Sequence, residues 1–131
     1  MNDLKVLKEL AKLAATGNSF RARHAAGIVH RGELVATGIN QRKTHPFHQR
    51  FAFNSHTIYL HAETDCIKNA LSELDVEDLT KSTLYVIRLR SVDWGLSKPC
   101  LGCERAILTF GIPKIVYTTD GYGFIKITLD K

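Results

Sequence analysis

The chain has 131 residues, of which 44% are hydrophobic and 24% charged, and these proportions predict one compact globular domain spanning residues 1–131. No apolar run approaches the roughly 18 to 20 residues that a membrane-spanning helix needs, and the amphipathic N-terminus is unlike a secretory signal, so we expect a cytoplasmic protein with no membrane partner. The net charge of +5 suits an anionic partner, such as a nucleotide or a nucleic acid, and says nothing about the fold.

The first forty residues predict a helix followed by a hairpin. Residues 3–16 carry an apolar stripe at helical spacing, and Gly17 is a plausible stop. Two strand-like runs follow, residues 24–30 and 33–39, and Arg31-Gly32 between them favours a tight turn. The predicted stripe consists of Leu4, Val6, Leu7, Leu10, Ala11, Leu13 and Ala14.

In the middle of the chain, the hydrophobic residues show no clean helical or strand period until residue 61. We interpret residues 40–60, which contain Pro46 and scattered aromatic residues, as a mostly irregular loop, and a loop of that length in a small domain is usually functional or disordered. Residues 61–74 then predict a second helix, and residues 75–81 an acidic connector.

In the last fifty residues, predicted strands and helices alternate again. They predict a strand over 82–89, an irregular stretch over 90–98, a helix over 100–110 opened by Pro99 and ended by Gly111, a strand over 112–118, a glycine turn and a last strand over 124–129. The order helix, strand, strand, helix, strand, helix, strand, strand predicts an α/β fold with helices packed on one central sheet. The tight final turn implies that the last two strands are antiparallel.

Two short motifs carry metal-binding chemistry, and each lies at the predicted start of a helix. They are His61-Ala62-Glu63 and Pro99-Cys100-Leu101-Gly102-Cys103. Two cysteines three residues apart in a first helical turn point the same way, and the helix N-terminus favours their thiolate forms. His61 would supply a third ligand, and three protein ligands with one open position are typical of catalytic zinc.

Glu63 lies two residues after His61, close to the predicted metal without pointing at it. A carboxylate beside water activated by a metal can take a proton and later return one. This combination suits the addition of hydroxide to an unsaturated carbon that bears an amine.

Other interpretations of the cysteines remain open at this point. A lone Cys-x-x-Cys also occurs in redox motifs and as half of a structural zinc site. A closed structural site needs a fourth ligand, for which Cys66 is the obvious candidate, although the helical pattern turns it toward the core. The two motifs together, in this order and behind a proline, favour a catalytic zinc site.

With these motifs the sequence resembles the cytidine/deoxycytidylate deaminase superfamily over most of its length. The resemblance also covers Gly38-Ile39-Asn40, Thr83-Leu84-Tyr85-Val86, Gly111-Ile112 and Ile115-Val116-Tyr117. It implies a three-layer fold with a central five-stranded mixed sheet and helices on both faces. It also implies roles for the two motifs: the zinc ligands of these deaminases correspond to His61, Cys100 and Cys103, and their general acid/base corresponds to Glu63.

The resemblance further implies that Asn40 and the backbone of Ala62 contact the substrate, and that the protein forms a homo-oligomer. Two segments differ from the family and border the predicted site. Residues 40–60 are basic and aromatic, so Arg42 is a candidate for phosphate binding, although the phenylalanines there could equally fill the core. Trp94, in an inserted stretch before the cysteines, could stack on a base or simply pack.

Three functions are consistent with these features. The leading one is zinc-dependent hydrolytic deamination of a free cytosine nucleotide or nucleoside. The alternative is deamination of a base within a polynucleotide, which the positive charge permits. The third is a catalytically silent, zinc-stabilised binding domain, and the presence of Glu63 argues against it because a structural site needs no proton shuttle.

Overall fold

A computed structural model describes residues 2–16, 23–40, 50, 61–91 and 93–129 of the chain. Within these ranges the helices are α1 (Asp3–Thr16), α2 (Ala62–Ala70), α3 (Val76–Leu79) and α4 (Leu101–Thr109). The strands are β1 (Arg23–His30), β2 (Glu33–Ile39), β3 (Thr83–Leu89), β4 (Trp94–Gly95), β5 (Lys114–Thr118) and β6 (Phe124–Thr128). None of the described helices is both long and apolar enough to span a membrane.

The strands form one mixed sheet in the order β2-β1-β3-β5-β6, with the two-residue β4 paired to β3 beside this path. β3 and β5 are parallel, and every other pairing among the described strands is antiparallel. The α4 crossover supplies the connection that parallel neighbours require. The predicted mixed α/β fold and the antiparallel last pair are therefore confirmed.

The β1–β2 hairpin turns at the two residues that the sequence singled out. Arg31 has φ 53° and Gly32 has φ 78°. A two-residue turn with both central residues at positive φ matches the right-handed twist of the flanking strands. The predicted hairpin is thus confirmed with its predicted turn.

Helix α1 covers one face of the sheet, and helices α2 and α4 cover the other. Each face has its own apolar cluster. The α1 cluster, on one face, contains Val6, Leu7, Leu10, Ala14, Ala25, Tyr85, Ile87, Trp94 and Val116. The α2–α4 cluster, on the other face, includes Ala26, Ile28, Ala62, Cys66, Ile67, Leu84, Val86, Ala106 and Ile107. Alternate residues of β1 and β3 enter opposite clusters, as the two-residue period of a strand requires.

The structure corrects the sequence-based boundaries at several points. The acidic connector contains the short helix α3, because Asp75 and Asp78 cap each other reciprocally: Asp75 Oδ1 accepts from the Asp78 N–H at 2.8 Å, and Asp78 Oδ2 accepts from the Asp75 N–H at 3.2 Å. The second helix ends at Ala70 rather than at residue 74. The irregular stretch contains β4, which makes the described sheet six-stranded rather than five-stranded as expected. Leu4 of the predicted stripe is 42% exposed.

Candidate metal centre

His61, Cys100 and Cys103 meet in space although the histidine lies 39 and 42 residues from the two cysteines. Their ligand atoms all lie within 4.8 Å of one another, and they are the group of potential metal ligands found among the described residues. His61 Nδ1 lies 3.3 Å from Cys103 Sγ and 3.5 Å from Cys100 Sγ. One ring nitrogen therefore faces both sulfurs.

The cysteines take their positions from the start of α4. Cys100 is the N-cap, with extended backbone at φ −69° and ψ 171°, and its sulfur accepts from the Cys103 N–H at 3.5 Å. Cys103 follows in the first turn and is fully buried. A spacing of three residues at a helix start thus brings both sulfurs to one point, as the sequence predicted.

The segment leading to Cys100 is held by two buried hydroxyl groups, which we call the Ser97–Thr118 pair. Their oxygens are 2.8 Å apart. Ser97 Oγ also donates to the Val86 carbonyl and accepts from the Thr118 N–H, each at 2.8 Å, while Thr118 Oγ1 donates to the Gly95 carbonyl at 2.7 Å. These bonds fix the cysteine-bearing segment to β3 and β5.

His61 takes its position from the packing of α2 on the hairpin. Asp65 Oδ2 accepts from the Ile39 N–H at 3.1 Å, and Asn69 Nδ2 donates to the Thr37 carbonyl at 2.8 Å. Gly38 lies beneath the helix, where an added Cβ would stand 2.4 Å from the Cys66 nitrogen and 2.6 Å from the Ala62 oxygen. Only glycine allows this approach, which brings the N-terminus of α2 against the end of β2.

The donor set and its spacing fit zinc. Thiolate and imidazole are its preferred protein ligands, and with Zn–N of about 2.0 Å and Zn–S of about 2.3 Å a tetrahedral ion separates nitrogen and sulfur ligands by about 3.5 Å. The two nitrogen–sulfur distances here are 3.3 and 3.5 Å. Both nitrogen–sulfur distances therefore match the spacing that the ion requires.

The electrostatics of the two sulfurs also favour a cation. Hydrogen bonds from the Cys103 thiol and from His61 lower the pKa of Cys100 to about 3, in spite of burial. The neighbouring Cys100 sulfur and burial raise the pKa of Cys103. The lowered pKa favours the thiolate form of Cys100, which is the form that binds a metal ion.

Glu63 is 6% exposed and lies beside the ligands. Burial raises the pKa of its carboxyl, while the positive charge of His61 and a hydrogen bond with Cys103 oppose that rise. A carboxyl with a raised pKa is suited to exchange protons near neutral pH.

Cys66 lies apart from this group. Its thiol is fully buried in the α2–α4 cluster and donates to the Ala36 carbonyl at 3.5 Å. Burial raises the pKa of this thiol well above its usual range. Among the described residues the cluster therefore has three protein ligands and no fourth cysteine.

The predicted substrate-binding residues fall in different places. Asn40 lies at the end of β2, where its Oδ1 accepts from the His24 N–H at 3.0 Å, and Ala62 is the first residue of α2. Arg42 and nearly all of the predicted loop lie outside the described residues. Trp94 is 6% exposed and belongs to the α1 cluster, on the face of the sheet opposite α2 and α4.

The structure adds His24 and Arg88, which the sequence gave no reason to place in the site. They are paired across β1 and β3. Burial, together with the charges of Arg88 and His61, lowers the pKa of His24 to about 4. No local motif marks either residue, since the pairing joins positions 64 residues apart in the sequence.

A mixed sheet between two helical layers, with one histidine and two cysteines at helix starts beside a buried glutamate, defines the class of zinc-dependent deaminases. The chain belongs to the cytidine and deoxycytidylate deaminase zinc-binding family, whose sequence model matches residues 1–119. Its cofactor is zinc. No match was found among curated proteins.

Solved structures with similar folds include two deaminases. The cytidine deaminase of Burkholderia pseudomallei has a TM-score of 0.73 at 15% identity, over 98% of this chain and 93% of that one. The dCMP deaminase of cyanophage S-TIM5 in complex with dCMP and dUMP has a TM-score of 0.62 at 19% identity, over 88% of this chain and 79% of that one. At these identities the likeness shows a shared fold.

Proposed function

We propose that the protein deaminates a free cytosine nucleotide or nucleoside by hydrolysis, giving the uracil product and ammonia. The observation that carries the proposal is the convergence of His61, Cys100 and Cys103 beside the buried carboxyl of Glu63. A zinc site with three protein ligands has room for water, and a neighbouring acid/base suits hydrolysis rather than a purely structural role.

In this proposal His61, Cys100 and Cys103 hold the ion, and Glu63 moves the protons. Bound zinc lowers the pKa of a water molecule and so supplies a nucleophile near neutral pH. Glu63 takes one proton from the attacking water and gives it to the ring nitrogen N3, while the water oxygen bonds to C4. Glu63 then carries the remaining hydroxyl proton to the amine, the C4–N bond breaks, and ammonia leaves.

Asn40 and the backbone of Ala62 are proposed to orient the substrate. The hydrogen bond that Asn40 Oδ1 accepts from the His24 N–H fixes the side-chain amide at the end of β2. Ala62 is fixed by the close packing of α2 on Gly38. Both groups are therefore held by the surrounding backbone, and Ala62 directly follows His61 in the chain, as accurate substrate positioning requires.

We also propose that the protein is a cytoplasmic homo-oligomer, in keeping with the resemblance to its family. Light scattering coupled to gel filtration would give its molecular mass in solution. A mass of 14.7 kDa, that of one chain, would contradict the oligomer without affecting the proposed chemistry.

A substrate panel tests the reaction. Zinc-loaded protein is incubated with CMP, dCMP, cytidine and deoxycytidine, and both ultraviolet absorbance and ammonia are followed, with a Glu63→Gln variant as the blank. We expect turnover of at least one of the four. No turnover on any would overturn the proposal, and turnover only on a single-stranded oligonucleotide or a tRNA would support the polynucleotide alternative.

A further inference from the structure

Three polar side chains form a row across the ends of three neighbouring strands. His24 of β1 pairs with Arg88 of β3 on one side. On its other side the His24 N–H donates to Asn40 Oδ1, and the Asn40 N–H donates to the His24 carbonyl at 3.4 Å. We call Asn40, His24 and Arg88 the strand-end row.

The strand-end row lies on the same side of the sheet as the metal ligands. Along β1 and β3, Ala26 and Val86 enter the α2–α4 cluster, and side chains two residues away on a strand share that face. His24 and Arg88 are those residues. The charge of His61 is among the causes that lower the pKa of His24, which agrees with a position of the row next to the ligands.

Arg88 carries a positive charge that no other described residue balances. Among the described residues its buried Nε has no hydrogen-bond partner, and no carboxylate lies within 4.0 Å of its guanidinium. Arg90, two residues later in the chain, instead pairs with Asp93 at 2.6 Å and with Asp120 at 3.5 Å. Burying an unpaired guanidinium nitrogen is costly, and a ligand that accepts its hydrogen bonds would remove that cost.

The side chain of Arg88 is also held in place. Its backbone N–H donates to Thr118 Oγ1 at 3.2 Å, which connects it to the Ser97–Thr118 pair. Its aliphatic stem lies along Gly95 of β4, where an added Cβ would stand 3.1 Å from Arg88 Cδ. The backbone and the aliphatic stem of Arg88 are therefore held by the protein before any ligand arrives, which lowers the entropy cost of binding.

We propose that Arg88 binds the phosphate group of a nucleotide substrate, so that the site selects cytosine nucleotides over nucleosides. The proposal rests on the proposed deaminase function and narrows its substrate class. The planar guanidinium can give a phosphate two parallel hydrogen bonds, whereas the neutral sugar of a nucleoside offers no such partner. The strand-end row then spans the substrate, with Asn40 at one end and the phosphate-binding Arg88 at the other.

The test compares dCMP with deoxycytidine for the zinc-loaded wild type, Arg88→Gln, Arg88→Lys and Arg90→Gln. Arg90 is the matched control, because it has the same charge two residues further along the chain and already pairs with carboxylates. We expect the wild type to prefer dCMP, and Arg88→Gln to lower the kcat/KM ratio of dCMP to deoxycytidine by about 10- to 100-fold. Arg88→Lys should recover part of the ratio, and Arg90→Gln should leave it as in the wild type.

Calorimetric binding of dUMP and deoxyuridine gives a readout that does not depend on turnover. Arg88→Gln should weaken dUMP binding and not deoxyuridine binding. Equal losses for both ligands, equal losses of kcat/KM for both substrates, or no wild-type preference for dCMP would overturn the role of Arg88 while leaving the deaminase function intact. Absence of all wild-type turnover would instead count against the proposed function, and the dUMP measurement would still decide whether Arg88 binds phosphate.

Discussion

The two faces of the sheet both carry an apolar cluster, but they differ in their polar and metal-binding side chains. The α1 cluster consists of aliphatic and aromatic side chains, and it includes Trp94. The opposite face has an equally apolar cluster, but around the start of α2 and the strand ends it carries the buried Glu63 and the metal-binding group. Both faces thus contribute to stability, and the α2–α4 face also carries the metal-binding group and Glu63.

The largest expected effect comes from the α2–α4 face. Glu63→Gln should lower kcat by about 10²- to 10⁴-fold, because general acid–base catalysis is lost while the shape of the side chain is kept. Zinc content should stay at the wild-type level. The melting temperature should not fall, since the variant no longer buries an ionisable carboxyl. Steady-state kinetics, atomic absorption and thermal melting measure the three quantities.

Glu73→Gln is the matched control for this variant, because Glu73 is an exposed glutamate just beyond α2. It should behave as the wild type in all three measurements. If Glu63→Gln lost its zinc or its fold, Glu63 would be a structural residue and its role as proton shuttle would be wrong.

A substitution in the α1 cluster should have the opposite effect to Glu63→Gln: it should lower stability and leave catalysis unchanged. Leu10 is fully buried in the α1 cluster, and Leu10→Ala should lower the free energy of unfolding by about 3 kcal/mol through lost burial and the cavity left behind. Urea denaturation measures this loss, and kcat/KM per folded molecule should stay at the wild-type value.

Leu4→Ala is the comparison variant on the same helix, because Leu4 is 42% exposed. Its loss of stability should stay within about 1 kcal/mol. A large loss of kcat/KM in Leu10→Ala, measured where the protein is fully folded, would show that the two faces are coupled.

The smallest expected effect is a pH dependence of the free energy of unfolding, which arises from the titration of His24. The folded protein holds this histidine neutral, because its pKa is lowered to about 4, whereas the unfolded chain begins to protonate it near pH 6.5. Stability is therefore lost as the pH falls from about 6.5 toward 4, by up to about 2 kcal/mol at pH 5. His24→Gln should show a smaller loss of unfolding free energy between about pH 7.5 and 5 than the wild type. Equal losses in the two proteins would contradict the lowered pKa.

Much of the fold could be predicted because its signals are local. The helix α1, the Arg31-Gly32 turn and the start of α4 at Cys100 each follow from residues that are neighbours in the sequence. The convergence of His61 with the two cysteines could be anticipated only because both motifs open helices and together resemble a known family. The spacing of the three ligand atoms is a property of the folded chain.

The remaining features depend on pairings between distant residues or on unusual local chemistry. β4 is two residues long and has no strand-like pattern of its own, so it depends on its pairing with β3 and on the bridge between Trp94 and Gly121. The helix α3 has a single turn, and its Asp75–Asp78 cap replaces the usual glutamate with a second aspartate. His24 and Arg88 become neighbours only when β1 and β3 pair, which no local pattern could reveal.

The Ser97–Thr118 pair has a consequence for the order in which the molecule is assembled. Ser97 precedes the cysteines and Thr118 lies on β5, beyond α4, so the contacts of Ser97 with the Thr118 hydroxyl and N–H require β5 beside β3, whereas its bond to the Val86 carbonyl requires β3 alone. The full set of contacts that anchors the cysteine-bearing segment is therefore complete only in a chain whose parallel pair has closed.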